Sequence, residues 1–282
     1  MDYRKEFLVE SGATLKLKKF DPSYRGKHES EDAATQEIGD YVQKLFHQQA
    51  LLYAEHKHSI LVVLQALDAG GKDGTIKHVF TALNPQGANV ASFKQPTPSE
   101  LAHDFLWRVH PHAPGKGEVV IFNRSHYEDV LVTRVHKLID KDTWTARYKR
   151  IRDFEALLAE SGTTIIKFFL HISKEEQLAR FAQRLDDPNR NWKISESDYS
   201  ERSLWDGYIE AFEDAMSATS TKHAPWYVIP ANHKWFRNLA VSQIMADTME
   251  ELKLAFPPPS VDLADIRRKY HTALQEEKGK KA

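Results

Sequence analysis

The chain has 282 residues, 41% of them hydrophobic and none of them cysteine, with 39 Lys and Arg set against 40 Asp and Glu for a net charge of −1. That length buries a substantial core, as one large α/β domain with insertions or as two small ones, and the lack of cysteine excludes disulfides and thiolate metal sites. The near-zero charge excludes a globally basic surface, so a polyanion must be bound by local clusters of bases.

The charged start MDYRKEFLVE, with no apolar run of about 18 residues anywhere in the chain, predicts a soluble, cytoplasmic protein. Residues 1–31 are polar and irregular, turn at Phe20-Asp21-Pro22-Ser23, and read as an arm over a main domain spanning 32–256. Asp32–His56 carries Ile38, Tyr41, Val42, Leu45, Leu51, Leu52 and Tyr53 near helical spacing and predicts a helix. Ile60–Leu64 is a continuous β-branched and leucine run, as expected of a parallel strand buried on both faces.

Ala69-Gly70-Gly71-Lys72-Asp73-Gly74 then turns the chain into a helix from about Thr75. Glycines let several backbone N–H groups converge on one anion, the helix aims its positive end at the same point, and Lys72 adds a full charge. Against the pattern G-x-x-x-x-G-K-[ST], Ala66 replaces the first glycine and Asp73 the hydroxyl residue that touches magnesium. Asp68 and Asp73 supply carboxylates of their own, so the loop is expected to bind phosphate together with Mg²⁺, with Mn²⁺ as an alternative ion. The plainer reading is a βα turn that only packs; strand, turn, lysine and helix in this order favour the phosphate loop.

Leu83–Gly87 ends that helix and Asn89–Phe93 reads as a second strand. The Pro96–Glu100 segment breaks the chain, and Ser99 is positioned to cap a helix over Glu100–Val109. A third buried strand, Glu118–Phe122, ends at Asn123-Arg124-Ser125-His126-Tyr127-Glu128-Asp129, where an open parallel sheet places its ligands. Ala146–Ser161 predicts an amphipathic helix and Thr163–Ile172 a fourth strand. Ser173–Arg202 carries Arg180, Arg184, Arg190, Lys193 and Arg202 around the turn Asp186–Asn189, the composition of a hairpin that closes over a phosphoryl-transfer site. Trp205, Tyr208 and Phe212 read as the core face of a helix, and the apolar residues of Val241–Phe256 as core or interface. Residues 257–282 form a C-terminal extension that begins with three prolines, and Glu276–Ala282 reads as disordered. None of the fourteen histidines has convincing metal-ligand spacing, and His126 reads first as a packing or hydrogen-bonding residue.

Together LDAGGKDGT (67–75), FNRSHYEDVL (122–131) and QRLDDPNRNWKIS (183–195) resemble the family 2 polyphosphate kinases, which move a terminal phosphoryl group between inorganic polyphosphate and nucleotides. The resemblance runs from about the first helix to near Pro257. It implies a P-loop kinase-like, three-layer αβα sandwich with a parallel sheet and a helical lid over 173–202. It implies that Asp68 is catalytic and binds magnesium, and that Ala69, Gly70, Gly71, Lys72, Asp73, Gly74 and Thr75 form the phosphate and nucleotide loop. Arg124 is implied to neutralise the transferring phosphate, and Arg184 and Lys193 to contact phosphate from the lid. Where the family pattern begins Asp-Arg, this chain has Asn123-Arg124, which moves the expected metal binding toward Asp68 and Asp129. The run Ser125–Val130 is similar to the subgroup accepting both AMP and ADP, which associates Glu128 with use of a monophosphate.

Lys77, Arg134 and Lys137 lie downstream of the two phosphate motifs and are candidates for a track that carries the polyanion. The implied partners are inorganic polyphosphate and adenine nucleotides, with no nucleic acid or membrane, in a homo-oligomer. Phosphoryl transfer of this kind needs in-line placement, Mg²⁺ and positive charge, and no nucleophilic side chain. An ATP-dependent nucleoside monophosphate kinase would share the loop and the lid, but Asp73 and Asn123-Arg124 argue against it. A nucleotide-binding regulator without turnover is the second rival, and the presence of Asp68, Lys72 and Arg124 together argues against that one.

Overall fold

The computed structural model describes residues 1–279. The chain enters through helix α1 (Tyr3–Glu6) and the two-residue strand β1 (Leu8–Val9), then forms helix α2 (Glu31–Glu55), capped by the Ser30 hydroxyl. Strand β2 (Ser59–Gln65) is buried at every residue, as its unbroken apolar run requires, and leads to helix α3 (Lys72–Val79). Strand β3 (Ala88–Ser92) follows, and then the single-turn helix α4 (Pro98–Leu101).

The predicted helix over Glu100–Val109 is corrected here. The cap is Thr97, two residues before Ser99: its hydroxyl accepts from Glu100 N at 3.2 Å while Glu100 Oε2 accepts from Thr97 N at 2.7 Å, a complete capping box with proline at the first helical position. Asp104 Oδ1 accepts from Leu106 N, 3.0 Å away, and this local bond turns the chain out of the helix.

Strand β4 (Val119–Asn123) is followed by a 3₁₀ turn over His126–Asp129, then helices α5 (Val132–Val135) and α6 (Lys141–Glu160). Helix α6 starts five residues before the expected Ala146, because Asp140 caps it through Thr143 N at 2.7 Å. Strand β5 (Thr163–His171) leads to a hairpin of α7 (Lys174–Asp186) and α8 (Glu196–Ser203), then α9 (Trp205–Thr219), strand β6 (Trp226–Pro230), α10 (Lys234–Glu251) and α11 (Leu263–Gly279). Glu276–Gly279 thus lies in a helix, against the expected disorder, and residues 280–282 lie outside the described residues.

The sheet order is β1-β6-β5-β2-β4-β3, with all pairs parallel except β1 against β6. Helices α2, α3 and α10 pack together over one face, and α5, α6 and α9 over the other. This makes the α/β fold a three-layer sandwich of the P-loop kinase kind. Residues 1–31 are less irregular than their polarity suggests: β1 adds an antiparallel strand to β6, and Tyr3 and Phe7 pack with Phe236. Val241, Ile244 and Met245 of α10 are fully buried in the core. Among the described residues no helix is long and apolar enough to cross a membrane.

Candidate active site

The carboxyl ends of β2, β4, β5 and β6 point the same way, so the segments after them converge. After β2, Gly71 caps α3 in the left-handed region at φ 105°. A Cβ at that position would lie 2.1 Å from Arg237 Nη1, so both its backbone angle and its neighbour require glycine. Among the described residues the N–H groups of Gly71, Lys72, Asp73 and Gly74 have no acceptor, and they lie at the positive end of the eight-residue α3. Lys72 folds back so that Nζ donates to the Ala66 carbonyl at 3.0 Å; burial first and then Arg124 hold its pKa below the usual lysine range.

After β4, Asn123 Nδ2 donates to Asp73 Oδ1 at 3.0 Å, so the residue standing in place of the family's aspartate satisfies the aspartate that replaces the P-loop hydroxyl. Arg124 takes a left-handed backbone, φ 61°, and reaches Asp68 at 3.3 Å and Glu128 at 3.8 Å. Ala69 is likewise left-handed, φ 59°, so strained residues flank the space between the two motifs. Burial raises the Glu128 pKa, against the pull of Arg124 and Lys72.

Behind this segment a fully buried network fixes its course. Lys167 Nζ donates to Glu155 Oε2 at 2.7 Å, to Tyr127 Oη at 2.8 Å and to the Thr219 carbonyl at 2.9 Å, while His126 Nε2 lies 3.3 Å from Glu155 Oε1. Burial pulls Lys167 down to about 8 and lowers the His126 pKa, while Glu155, held by both, stays below the carboxylate range despite its own burial. His126 is therefore a hydrogen-bonding core residue, the reading that comes first for it in the sequence.

Two cavities meet at Asp68, Gln95 and Arg124. The larger, about 670 Å³, contains Ala69, Gly70, Gly71, Lys72, Asp73, Gly74, Lys77 and Asn123, and the hairpin adds Arg180, Arg184, Arg190 and Lys193. Arg184 Nη1 donates to the Lys193 carbonyl at 2.9 Å, and Lys193 Nζ lies 3.9 Å from Asp73. The smaller, about 370 Å³, holds Glu128, His136 and Glu201 with Trp205, Tyr208 and Phe212 as an aromatic wall. Glu201 of α8 accepts from Tyr208 Oη at 2.6 Å and lies 3.0 Å from His136 Nε2, tying the hairpin to the body. The helix face expected to be core is thus both core and cavity wall.

Four candidates fall elsewhere. Asp129 is buried between Arg108, at 3.7 Å, and Arg147, at 3.6 Å; burial raises its pKa to about 6, and its carboxylate borders neither cavity. The Thr75 hydroxyl donates to the Gly71 carbonyl at 3.2 Å inside α3. Arg134 pairs with Asp214 and Glu210, each at 2.8 Å, and stacks on Trp144, away from the phosphate loop. Lys137 sits exposed in a left-handed turn and borders neither cavity.

The sequence reading missed Lys234, which borders the larger cavity, and Arg237 beneath it. Both follow β6, a strand not recognised; the rule that ligands gather at strand carboxyl ends would have pointed to them. Arg180 is more than one lid arginine: it is buried and donates to the carbonyls of Ala69, at 2.8 Å, and of Ala231 and Asn232.

Among the described residues no three His, Cys, Asp or Glu side chains cluster to hold a metal unaided. The larger cavity does carry two hard carboxylates, Asp68 and Asp73, and Mg²⁺ needs one or two of these when substrate phosphates complete its shell.

A family model described as polyphosphate kinase 2 matches residues 28–257. The AMP/ADP-polyphosphate phosphotransferase of Meiothermus ruber is 53% identical over 256 residues, covering 90% of this chain and 96% of that protein. The ADP-polyphosphate phosphotransferase of Rhodopseudomonas palustris is 44% identical over 265 residues, covering 90% and 92%. The crystal structure of polyphosphate kinase 2 from Arthrobacter aurescens TC1 matches with a TM-score of 0.93 at 40% identity, over 96% of this chain and 97% of that one. A match spanning most of the chain, together with a phosphate loop and a basic hairpin around one cavity, places this protein in the polyphosphate kinase 2 family.

Proposed function

We propose that the chain transfers the terminal phosphoryl group of inorganic polyphosphate to AMP and to ADP, reversibly, giving ADP and ATP. The observation that carries this reading is the contrast between two cavities sharing Asp68 and Arg124. One is walled by Lys72, Lys77, Arg180, Arg184, Arg190, Lys193 and Lys234 and suits a long polyanion; the other has an aromatic wall and suits a nucleoside. Donor and acceptor then meet at the Asp68–Arg124 junction.

The loop N–H groups and Lys72 grip phosphate oxygens, and Arg124 balances the charge that spreads over the equatorial oxygens in flight. Asp68 and Asp73 are the residues that would hold Mg²⁺, or Mn²⁺, and the ion would supply positive charge against the phosphate oxygens. Asp68 also orients the acceptor phosphate. The α7–α8 hairpin acts as the lid: Arg184 and Lys193 close on phosphate from above and exclude water. Glu128, at the junction end of the nucleoside cavity, is the residue we associate with the shorter acceptor, AMP. A division into an arm (1–31), a main domain (32–256) and a C-terminal extension (257–282), and a cytoplasmic homo-oligomer, belong to the same proposal.

The test incubates the purified protein with Mg²⁺, polyphosphate and either AMP or ADP, with products separated by chromatography. ATP from both acceptors is expected, with Glu128→Gln losing AMP turnover more than ADP turnover. Turnover of a monophosphate only when ATP is the donor would reject the reading.

A further inference from the structure

Arg237 of α10 is 2% exposed and lies directly beneath the phosphate loop. Its Nη1 is the atom that a Cβ on Gly71 would strike, and a Cβ on Gly74 would lie 3.1 Å from its Nη2. Nε and Nη2 both donate to Asn238 Oδ1, at 3.2 and 2.8 Å, and Nη1 donates to nothing among the described residues. No carboxylate among the described residues pairs with the guanidinium, and its charged neighbour is a second cation, Arg180. Burial first and then Arg180 pull Arg237 down to about 9, so it keeps its charge at neutral pH. The N-terminus of α3 adds further positive potential at the same point. A buried cation without a counter-charge is costly, and the fold places one where a polyanion arrives.

We propose that Arg237 is a positioning residue for phosphate: it charges the loop from behind, and its counter-ion is the bound polyphosphate instead of a protein carboxylate. This rests on the larger cavity being the phosphate site. The unliganded protein then carries an electrostatic strain that phosphate binding relieves.

The test compares full-length wild type, Arg237→Met, Arg237→Lys and Asn238→Asp by thermal unfolding with and without inorganic tripolyphosphate, and by steady-state kinetics. Arg237→Met is expected to melt no lower than wild type when unliganded, to bind tripolyphosphate about tenfold more weakly, and to show a KM for polyphosphate raised about tenfold with kcat changed by less than about threefold. Arg237→Lys should recover most of the binding. Asn238→Asp supplies the missing carboxylate and leaves the guanidinium in place, so it should weaken binding similarly; it decides the matter if Arg237→Met does not fold. Wild-type-like tripolyphosphate binding in both Arg237→Met and Asn238→Asp would overturn the proposal, as would a lowered unliganded melting point with unchanged binding. A wild type that gains no stability from tripolyphosphate rejects the phosphate reading of the cavity, and the proposal falls with it.

Discussion

Asn123 shows how one atom type redistributes a site. Its amide donates to Asp73 at 3.0 Å, where a carboxylate in the same place would face another carboxylate at that distance. Two carboxylates so close cannot both stay ionised without a cation between them. Asn123→Asp is therefore expected to lower the melting temperature in chelator and to tighten Mg²⁺ binding, read by calorimetric titration. Unchanged Mg²⁺ affinity would mean that position 123 does not face the ion. Asp68 differs from Asp73 in being held from both sides: its carbonyl accepts from Gln177 Nε2 of the hairpin at 2.9 Å and its carboxylate pairs with Arg124 after β4.

At the scale of elements, the buried Lys167–Glu155 pair joins β5 to α6 and, through Tyr127 and His126, holds the turn that presents Glu128. Removing one partner strands the other charge in the core, so Lys167→Met should cost about 3–5 kcal/mol in urea unfolding. Lys167→Met with Glu155→Leu should recover part of that loss, because neither charge then remains. The two elements that form most of the site were legible in the sequence because their signals are local. The apolar run 60–64 and the glycine turn specify a buried strand and a phosphate loop without reference to the rest of the chain. The strands β1 and β6 are not legible: one is two residues long, and the other, WYVIP, is a five-residue run closed by proline, with no glycine turn after it to mark a strand end. Asp129 looked like Glu128 in sequence, and only the arrival of Arg108 and Arg147 from distant segments separates their environments. Arg134 was misplaced for the same reason, since Glu210 and Asp214 come from α9.

For the molecule as a whole, two buried groups contribute opposite terms to the acid response. Burial lowers His171 to about 4, against the opposing pull of the Phe20 backbone and Asp21, so between about pH 6.5 and 4 the unfolded chain takes up a proton that the folded chain refuses. That contribution falls as pH drops, by about 3 kcal/mol across the window. Burial raises Asp129 to about 6, above its unfolded value, so over nearly the same window the folded chain holds the extra proton and gains about 3 kcal/mol as pH drops. The two nearly cancel. Relative to wild type, His171→Gln should lose less stability on acidification from pH 6.5 to 4 and Asp129→Asn should lose more, measured as melting temperature against pH. Parallel profiles for the two variants would show that neither group titrates in this way.

The antiparallel edge strand also has a consequence for how the chain is made. Leu8 pairs with Tyr227 and Val9 with Trp226, and Tyr3 N donates to Gln243 Oε1 at 2.9 Å. Leu8 and Val9 thus find their places late, since their partners leave the ribosome more than two hundred residues after them. Until α10 is synthesised, Tyr3 and Phe7 have no Phe236 to pack against, and the lower wall of the phosphate loop does not exist. Closure of the sheet edge and completion of the site are therefore one late event in the birth of the molecule.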